Sequence, residues 1–350
     1  MTDSSGAAPT AEGRRHRSVV RRLRTIPLVY AGGILLWLAA PLLLIVALVV
    51  DVFRWIINRT PFMAVRLLLF ALAYVTAEAV GVGILFAGWV RCGFGRDHEC
   101  LLRITFAGQQ GWAGFMFWAV RRVLRMSVHA EGAEAVAEPP FILLSRHASI
   151  LDNLLPAHFV SRPHGIPVRY VLKDELLQDP ALDIAGNRLP NYFVRRGSGE
   201  GEREAAAIRG LAATMGHDEA VLIYPEGTRF TPQRQARALK KLNERRPDLH
   251  ARAVQWRHVL PPRLTGTLAL LEGSDADVVV LAHRGLGGFA RVGDIWRGGM
   301  VGHRVDARFR RIPRRKIPLD REDREAWLYD VWGEIDRWIG SSPPAAAEDR

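Results

Sequence analysis

Cysteine is scarce in this chain: Cys92 and Cys100 are the only two among 350 residues. Two cysteines exclude a framework of several disulfides, and we expect most of the chain to work in a reducing compartment. No cluster of cysteine and histidine has the spacing of a zinc site. His98 lies close to Cys100 but has no matching pair, so we interpret it as incidental. The sequence therefore predicts no metal site.

The sequence also lacks zinc fingers, ribonucleoprotein motifs, basic helices followed by heptads, and internal repeats. Lysine and arginine number 48 against 36 aspartates and glutamates, a net charge of +12. That charge suits nucleic acid, an anionic membrane face or phosphorylated small molecules, and the missing motifs disfavour nucleic acid. An apolar content of 49% excludes a disordered chain, while a mean hydropathy of +0.01 excludes a transporter with many spans.

Hydrophobic residues are concentrated in two runs near the N-terminus. The first run, 25–50, follows a basic segment, and the second, 67–90, contains Glu78 as its only charge. At about 1.5 Å per helical residue the runs span about 39 and 36 Å, more than the ~30 Å hydrocarbon core of a bilayer. The sequence therefore predicts a basic N-terminal segment at 1–24 and two transmembrane helices within 25–91.

Basic residues on both sides of this hairpin predict that its two ends lie in the cytoplasm. The intervening loop at 51–66 carries three arginines of its own, which weaken that orientation. A cleaved signal peptide is disfavoured because the first run is too long and a second one follows. Glu78 has two interpretations. It is either part of a functional polar site, or a residue without chemistry that is hydrogen-bonded between helices or faces a water-filled cleft, and we favour the second.

Residues 92–126 are predicted to form an interfacial segment. Its part at 109–126 combines four aromatic residues with three arginines, a composition that suits a helix in the headgroup layer. A buried helix of the following domain fits the same residues equally well.

From residue 127 onwards, short apolar runs alternate with helical stretches, which predicts an α/β sheet over 127–340. The runs predicted as strands are 141–144, 168–172, 220–224 and 278–282. Helical periodicity marks 202–215, 233–244 and a closing amphipathic helix at 322–339. Residues 341–350 are predicted to be a disordered tail.

A histidine and an aspartate, His147 and Asp152, directly follow the first predicted strand. Five residues of continuous helix would rotate the two side chains about 140° apart. They meet only if His147 lies in the loop and Asp152 in the first turns of the helix. Asp152 would then hold one imidazole nitrogen and leave the other as a general base. A GxSxG nucleophile motif is absent, so direct attack by a substrate hydroxyl is the simpler scheme.

Another predicted strand, 220–224, runs into the turn Pro225-Glu226-Gly227-Thr228-Arg229. Gly227 permits close backbone approach, and the guanidinium of Arg229 suits a phosphate monoester. On its own the same turn is better interpreted as a strand end with a surface ion pair between Glu226 and Arg229.

Together these segments resemble the glycerolipid acyltransferase family, whose four ordered blocks are all present. The second block lies at 191–197, between the two segments above, where Arg196 takes the place of an arginine assigned to the acceptor phosphate and Arg195 occupies a position that is often acidic. The last block, 259–266, looks like the longer form of the eukaryote-type and lysocardiolipin branches. Lys173 matches a further lysine of the family.

The resemblance covers roughly residues 127–300 and implies a central mixed sheet flanked by helices. It implies transfer of a fatty acyl group from a thioester, acyl-coenzyme A or acyl carrier protein, to the free hydroxyl of a lysophospholipid, most simply lysophosphatidic acid. No bound cofactor or metal is implied. The implied catalytic pair is His147 and Asp152. The implied substrate-binding set is Arg196, Glu226, Gly227, Thr228, Arg229 and Lys173.

Two alternatives remain beside this expectation: another acceptor, such as a lysocardiolipin or a glycolipid, and a non-catalytic membrane-bound scaffold. The basic stretch at 233–257 has two interpretations, a docking site for coenzyme A phosphates, an acidic carrier protein or the membrane, and a solvated helix. Arg146 is either an acid-binding group or a strand-end charge. The composition indicates a bacterial plasma membrane, with the catalytic domain on the cytoplasmic side.

Overall fold

The computed structural model describes residues 11–194, 201–287 and 292–341. In these ranges the helices are α1 (Ala11–Asn58), α2 (Met63–Arg91), α3 (His98–Leu124), α4 (Leu154–Pro156), α5 (Arg162–His164), α6 (Pro180–Arg188), α7 (Gly201–Ala213), α8 (Pro232–Arg245), α9 (Pro247–Ala253), α10 (Leu264–Gly273), α11 (Val292–Trp296) and α12 (Arg321–Gly340). The strands are β1 (Ser127–Glu131), β2 (Phe141–Ser145), β3 (Val168–Lys173), β4 (Tyr192–Val194), β5 (Ala220–Ile223), β6 (Asp277–Arg284) and β7 (Arg304–Ile312). Turns of 3-10 helix lie at Ala133–Val136, Ile150–Asn153, Asp174–Gln178 and Arg314–Lys316, and a π-helical turn, Ala157–Ser161, joins α4 to α5.

The strands form one sheet in the order β1-β7-β6-β2-β5-β3-β4. The pairs from β6 to β4 are parallel, β6 and β7 are antiparallel, and β1 is parallel to β7. This mixed sheet with flanking helices confirms the predicted fold class. The carboxyl ends of β2, β3, β5 and β6 share one edge, where ligands of open α/β sheets bind.

Helices cover both faces of the sheet, so its central strands are continuous apolar runs rather than alternating ones. Every residue of β2 is buried. Alternation in β6 still separates two cores: Val279 and Leu281 pack with α2 and α3, and Val278 and Val280 pack with α10 and α12.

The hairpin is longer and tighter than the sequence predicted. α1 comprises 48 residues, about 72 Å of helix, so the described part of the basic segment is helical, and α1 continues to Asn58. The loop expected at 51–66 is reduced to a short turn because the buried carboxylate of Asp51 accepts hydrogen bonds from the backbone N–H groups of Ala64 and Val65, each at 2.9 Å. These bonds satisfy donors at the start of α2 that have no partner within the helix.

α1 and α2 pack against each other, and the outer side of α1 is apolar and exposed. Tyr30 donates a hydrogen bond to the carbonyl of Ala79 (2.8 Å), and Trp37 donates one to Thr76 (3.0 Å). Both helices are long and apolar enough to cross a membrane. Leu38 is 75% exposed, which in a folded protein marks a surface covered by lipid or another partner.

The domain contacts the hairpin at both ends. Near the basic end, Arg21 binds the buried carboxylate of Asp183 in α6 at 2.7 Å. Near the turn, Arg54 donates to the backbone carbonyl of Trp296 at 2.7 Å. These two arginines are about 50 Å apart along α1. The domain therefore lies alongside the hairpin and contacts it close to the turn between α1 and α2. This contact contradicts the predicted orientation, in which the turn lies on the opposite side of the membrane from the domain.

α3 lies between α2 and the sheet and has the buried side that one interpretation of 109–126 predicted, while its position in the headgroup layer stays a prediction. Phe117 and Val120 are buried in the domain core, whereas Phe115 and Trp118 are exposed and stacked on each other. Trp112 donates a hydrogen bond to the buried carboxylate of Glu78 at 2.9 Å. Glu78 is thus bonded between helices, as expected.

Cys92 and Cys100 form a disulfide across the turn between α2 and α3. A single disulfide agrees with the absence of a framework of several disulfides. The expected reducing compartment, however, implies two free thiols, and the structure has a disulfide instead. The physical reason is local: the α2–α3 turn brings the two Cα atoms to 5.8 Å, within disulfide range.

Candidate active site

The candidate active site begins where β2 ends. His147 lies in the loop after β2, and Asp152 lies in the 3-10 turn Ile150–Asn153 that precedes α4. The imidazole Nδ1 of His147 is 3.1 Å from Oδ2 of Asp152. Since a carboxylate only accepts, Nδ1 carries the proton and Nε2 is left with a free lone pair. The structure thus has the loop-and-turn arrangement that the five-residue spacing requires.

Local hydrogen bonds hold Asp152 in place. Its Oδ2 also accepts from the backbone N–H groups of Ala148 (2.6 Å) and Ser149 (2.8 Å). The Ser149 side chain in turn accepts from the N–H of Leu151, and Ser149 and Asp152 form a capping box at the start of the turn. The backbone itself therefore orients the carboxylate that orients the imidazole.

Burial and charge tune both members of the pair. Burial alone favours the neutral form of Asp152, but the neighbouring His283 and His147 outweigh it and lower the pKa of the carboxyl. Burial lowers the pKa of His147, and the hydrogen bond that its ring donates to Asp152 partly opposes that effect. At neutral pH the site therefore holds an ionised carboxylate beside a neutral imidazole, the protonation state of a general base.

Glu226 lies beneath this pair and not on the wall of the site. Its Oε1 accepts from the backbone N–H of His147 at 2.9 Å, and its Oε2 accepts from the N–H of Leu260 at 3.0 Å. Burial raises the pKa of Glu226 to about 7, against the charge of Arg146. Because both oxygens are occupied, Glu226 ties the β2 loop to the last block. The sequence interpretation of Glu226 as a substrate-contacting residue does not match this position.

Arg146 has a structural role that neither sequence interpretation anticipated. The guanidinium is 5% exposed and donates to the backbone carbonyls of His283 and His258, each at 2.8 Å. It thereby ties the end of β2 to β6 and to the segment before the last block.

A cleft of about 420 Å³ opens beside His147 at the carboxyl edge of the sheet. Its basic side chains are Lys173, Arg229 and Arg263. Glu204, Asn153 and Thr265 also line the cleft, and many of the other lining side chains are apolar, among them Ile150, Leu172, Leu176, Val194, Ile208 and Ile223. Such a cleft accommodates an anionic group near the histidine and a hydrocarbon chain beyond it.

Gly227 is required for the basic part of the cleft. Its φ of +64° lies in the left-handed region, and a Cβ there would come within 2.8 Å of Cδ of Arg263. Arg263 packs over the glycine, and its backbone N–H bonds the carbonyl of Pro225 at 2.8 Å. The sequence predicts the last block at 259–266 but assigns no role to Arg263. The basic charge of Arg263 within that block was the signal that could have placed it in the site.

The remaining expected site residues are only partly placed here. Arg196, with its neighbour Arg195, lies outside the described residues. Thr228 does not line the cleft, whereas Lys173 and Arg229 do. Within the described ranges, no group of three or more histidine, cysteine, aspartate or glutamate side chains is arranged to hold a metal ion.

Comparisons with known proteins agree with this site. The family model described as Acyltransferase matches residues 127–258, which include His147, Asp152 and the turn at 225–229. A 1-acyl-sn-glycerol-3-phosphate acyltransferase of Pseudomonas aeruginosa is 31% identical over 127 residues. Over residues 127–258 the chain is therefore similar to the acyltransferase domain of such enzymes. The aligned part is 35% of this chain and 45% of that relative, so the chain spans less than half of the relative's length.

A solved structure extends the likeness of the acyltransferase domain to the fold of most of the chain. The crystal structure of the 1-acyl-sn-glycerophosphate (LPA) acyltransferase, PlsC, from Thermotoga maritima aligns with a TM-score of 0.53. The alignment covers 81% of this chain and 98% of that one, at 19% sequence identity. At that identity the likeness establishes the fold.

The basic stretch after the site forms α8 and α9 in the acyltransferase domain. Several of its bases are exposed on α8, among them Arg237, Lys240 and Lys241. Arg246 and Arg252 instead pair with carboxylates of α12 at 2.7 and 2.6 Å. Arg246 and Arg252 therefore connect the basic stretch to α12. Docking of a donor or the membrane by the exposed bases stays a prediction.

Proposed function

We propose that this protein transfers a fatty acyl group from an acyl thioester to the free hydroxyl of a lysophospholipid, with lysophosphatidic acid as the acceptor. The single observation that carries the proposal is the Nδ1–Oδ2 contact of 3.1 Å between His147 and Asp152, at the mouth of a cleft lined by basic and apolar side chains. The matched acyltransferase relatives support the same reaction class.

The chemistry follows from the atoms that line the cleft. Nε2 of His147 takes the proton of the acceptor hydroxyl as its oxygen attacks the thioester carbonyl. The ester C–O bond forms, the C–S bond breaks, and the thiol leaves with the proton returned from the imidazolium. A thioester is already activated, so the protein need supply mainly proximity, a base and compensation of negative charge.

The basic residues of the cleft favour an acceptor with a phosphate monoester. Arg229 and Arg263 line the cleft together with His147, and a guanidinium offers two parallel donors to phosphate oxygens. Arg196 is the further phosphate contact implied by the family pattern. The donor, acyl-coenzyme A or acyl carrier protein, is a co-substrate in this proposal, and no bound cofactor takes part.

The acceptor is a membrane lipid, so we place the protein at a membrane, with the exposed face of α1 in lipid. Side chains there are apolar over many turns, and Leu28 and Leu42 are 67% and 66% exposed. A bacterial plasma membrane with the cleft on its cytoplasmic side remains the proposed location.

An acceptor panel tests the proposal. The full chain in detergent is given acyl-coenzyme A or acyl carrier protein with lysophosphatidate, lysocardiolipin, a lysophospholipid with a phosphodiester headgroup, or a glycolipid, and thiol release is followed. We expect lysophosphatidate to be the best acceptor. Arg229→Gln should raise its KM about tenfold, the loss of one charged hydrogen bond, and leave the phosphodiester acceptor unchanged. Arg315→Gln, exposed in the turn Arg314–Lys316 and outside the cleft, is the matched control.

Two results would contradict the proposal. Equal rates with every acceptor, unaffected by Arg229→Gln, would show that the cleft does not read a phosphate monoester and would favour another acceptor. Lipid binding without thiol release from either donor would favour a scaffold.

A further inference from the structure

A second histidine, His283, lies directly behind the catalytic pair. It belongs to β6 and is fully buried. β2 and β6 are parallel, and their register pairs Ser145 with Leu281, so His283 is level with His147 one strand away. Alternation along β6 places its side chain on the same face of the sheet as Leu281, the face that α4 covers.

The ring of His283 points at the carboxylate that orients His147. Its Nε2 is 3.4 Å from Oδ1 of Asp152 and 3.1 Å from the backbone carbonyl oxygen of Arg146. Both of these oxygens are acceptors, so Nε2 carries the hydrogen. The Nε2–H group faces both oxygens and is shared between them.

The two oxygens of Asp152 differ in what surrounds them. Oδ2 accepts from three donors: the ring of His147 and the N–H groups of Ala148 and Ser149. Oδ1 is buried and, among the residues that the structure describes, makes no hydrogen bond of standard geometry. The Nε2–H of His283 is the group that faces it. A buried carboxylate oxygen without a donor is costly, so this contact is the one available compensation.

We propose that His283 is a positioning residue for the acyl transfer: its Nε2–H holds Oδ1 of Asp152, so that the carboxylate stays aligned with His147 and shares its charge between two imidazoles. This inference rests on the proposed function and deepens it. No motif of the family assigns the position, since the residue lies inside a buried apolar strand 131 positions after Asp152.

The direction of the effect follows from charge. A donor on Oδ1 withdraws negative charge from the carboxylate and weakens its hold on a proton at His147. Removing the donor therefore raises the pKa of His147. The other charged or titratable groups that act on this pair are Arg146, Lys173, Tyr224 and Glu226, and Asp336 acts on Arg146. None of them is changed by a substitution at position 283.

The test compares three variants of the full chain in detergent. His283→Gln keeps an amide N–H near the position of Nε2, His283→Leu removes the donor, and His283→Asn keeps a polar group that is too short to reach Oδ1. Leu281→Ala, on the same strand face, is the matched control for loss of packing. The asparagine variant preserves the test if the leucine variant does not fold.

The main readout does not depend on turnover. Diethyl pyrocarbonate modifies neutral imidazole, so the pH dependence of modification at His147, read by tandem mass spectrometry, gives the midpoint of its titration. His158, stacked on Phe117 and without contact to Asp152, is the internal reference. We expect the His147 midpoint to rise by about half a pH unit or more in His283→Leu and His283→Asn, and to stay unchanged in His283→Gln and Leu281→Ala.

The second readout is the pH profile of kcat/KM for acyl transfer. We expect a loss of about tenfold near neutral pH in the leucine and asparagine variants, an acidic limb displaced to higher pH, and rescue of both by glutamine. Unchanged midpoints in all four variants would overturn the proposal. A displaced midpoint in a protein without turnover on any acceptor would instead contradict the proposed function and leave the contact with Asp152 supported.

Discussion

The outer face of α1 and the carboxyl edge of the sheet depart from the usual distribution of side chains in opposite directions. On α1, large apolar residues such as Leu38 are exposed. At the end of β2, by contrast, Arg146, His147, Asp152 and Glu226 are all buried. Exposed apolar surface needs an apolar partner, and buried charge needs donors and acceptors. The first region is therefore the surface that we propose to face lipid, and the second is the proposed site of the chemistry.

The buried region should be the more sensitive of the two. Asp152→Asn replaces the carboxylate by an amide of the same shape, which supports the wrong tautomer of His147. We expect kcat to fall about 10³- to 10⁴-fold with little change in thermal stability. Steady-state kinetics checks this, with Asp330→Asn on the exposed side of α12 as the control. Retention of even a tenth of the wild-type kcat would mean that Asp152 does not orient the base.

Glu226→Ala should separate structure from chemistry within the same region. The substitution leaves the backbone N–H groups of His147 and Leu260 without their acceptor and Arg146 without its nearest carboxylate. We expect a loss of about 3–5 kcal/mol in the free energy of unfolding, together with loss of activity. Chemical unfolding in detergent measures it, and Glu244→Ala on exposed α8 is the control. A variant that is fully stable but inactive would support the earlier interpretation, in which Glu226 contacts the substrate directly.

Leu38→Lys probes the exposed region. A charge near the middle of the apolar run should weaken association with lipid vesicles by about 3 kcal/mol, or about 100-fold, without altering kcat on acceptors dispersed in detergent. Vesicle flotation measures the association. Leu38→Ala, which keeps the surface apolar, should float like the wild type. Equal flotation of the lysine variant would show that this face of α1 is not in lipid.

The pH dependence of kcat/KM should be set by His147. The pKa of Glu226 is raised to about 7 by burial, but its carboxylate bonds backbone N–H groups and does not line the cleft. Because burial lowers the pKa of His147, the imidazole stays neutral until the pH falls below its ordinary value of about 6.5. We expect kcat/KM to be constant through neutral pH and to fall about tenfold per pH unit below the lowered pKa. A fall in kcat/KM that already begins above pH 7 as the pH is lowered would contradict a lowered pKa of His147.

Sequence reasoning reached the parts of this molecule that are encoded locally. The four strands with continuous apolar runs, the apolar hairpin and the pair His147 and Asp152 follow from short stretches of residues. β7 did not, because its exposed positions carry arginines that hide the alternation of its buried ones, and β1 and β4 are short edge strands.

The missed parts of the site depend on pairing between distant segments. His283 and Arg146 meet because β2 lies beside β6, and Arg263 enters the cleft because it packs on Gly227. No local spacing encodes these contacts. The same holds for the position of the domain alongside the hairpin, which is set by contacts at Asp183 and Trp296.

The most direct test of the central claim is the rate at which His147→Ala forms a diacyl product. Purified protein with lysophosphatidate and an acyl thioester would be followed by mass spectrometry of the lipid, after a thermal unfolding curve has confirmed that the variant is folded. The account predicts phosphatidate from the wild type and at least a 10²-fold lower rate, about 3 kcal/mol or more, from the variant. Phosphatidate formed at the same rate by both proteins would show that His147 is not the base.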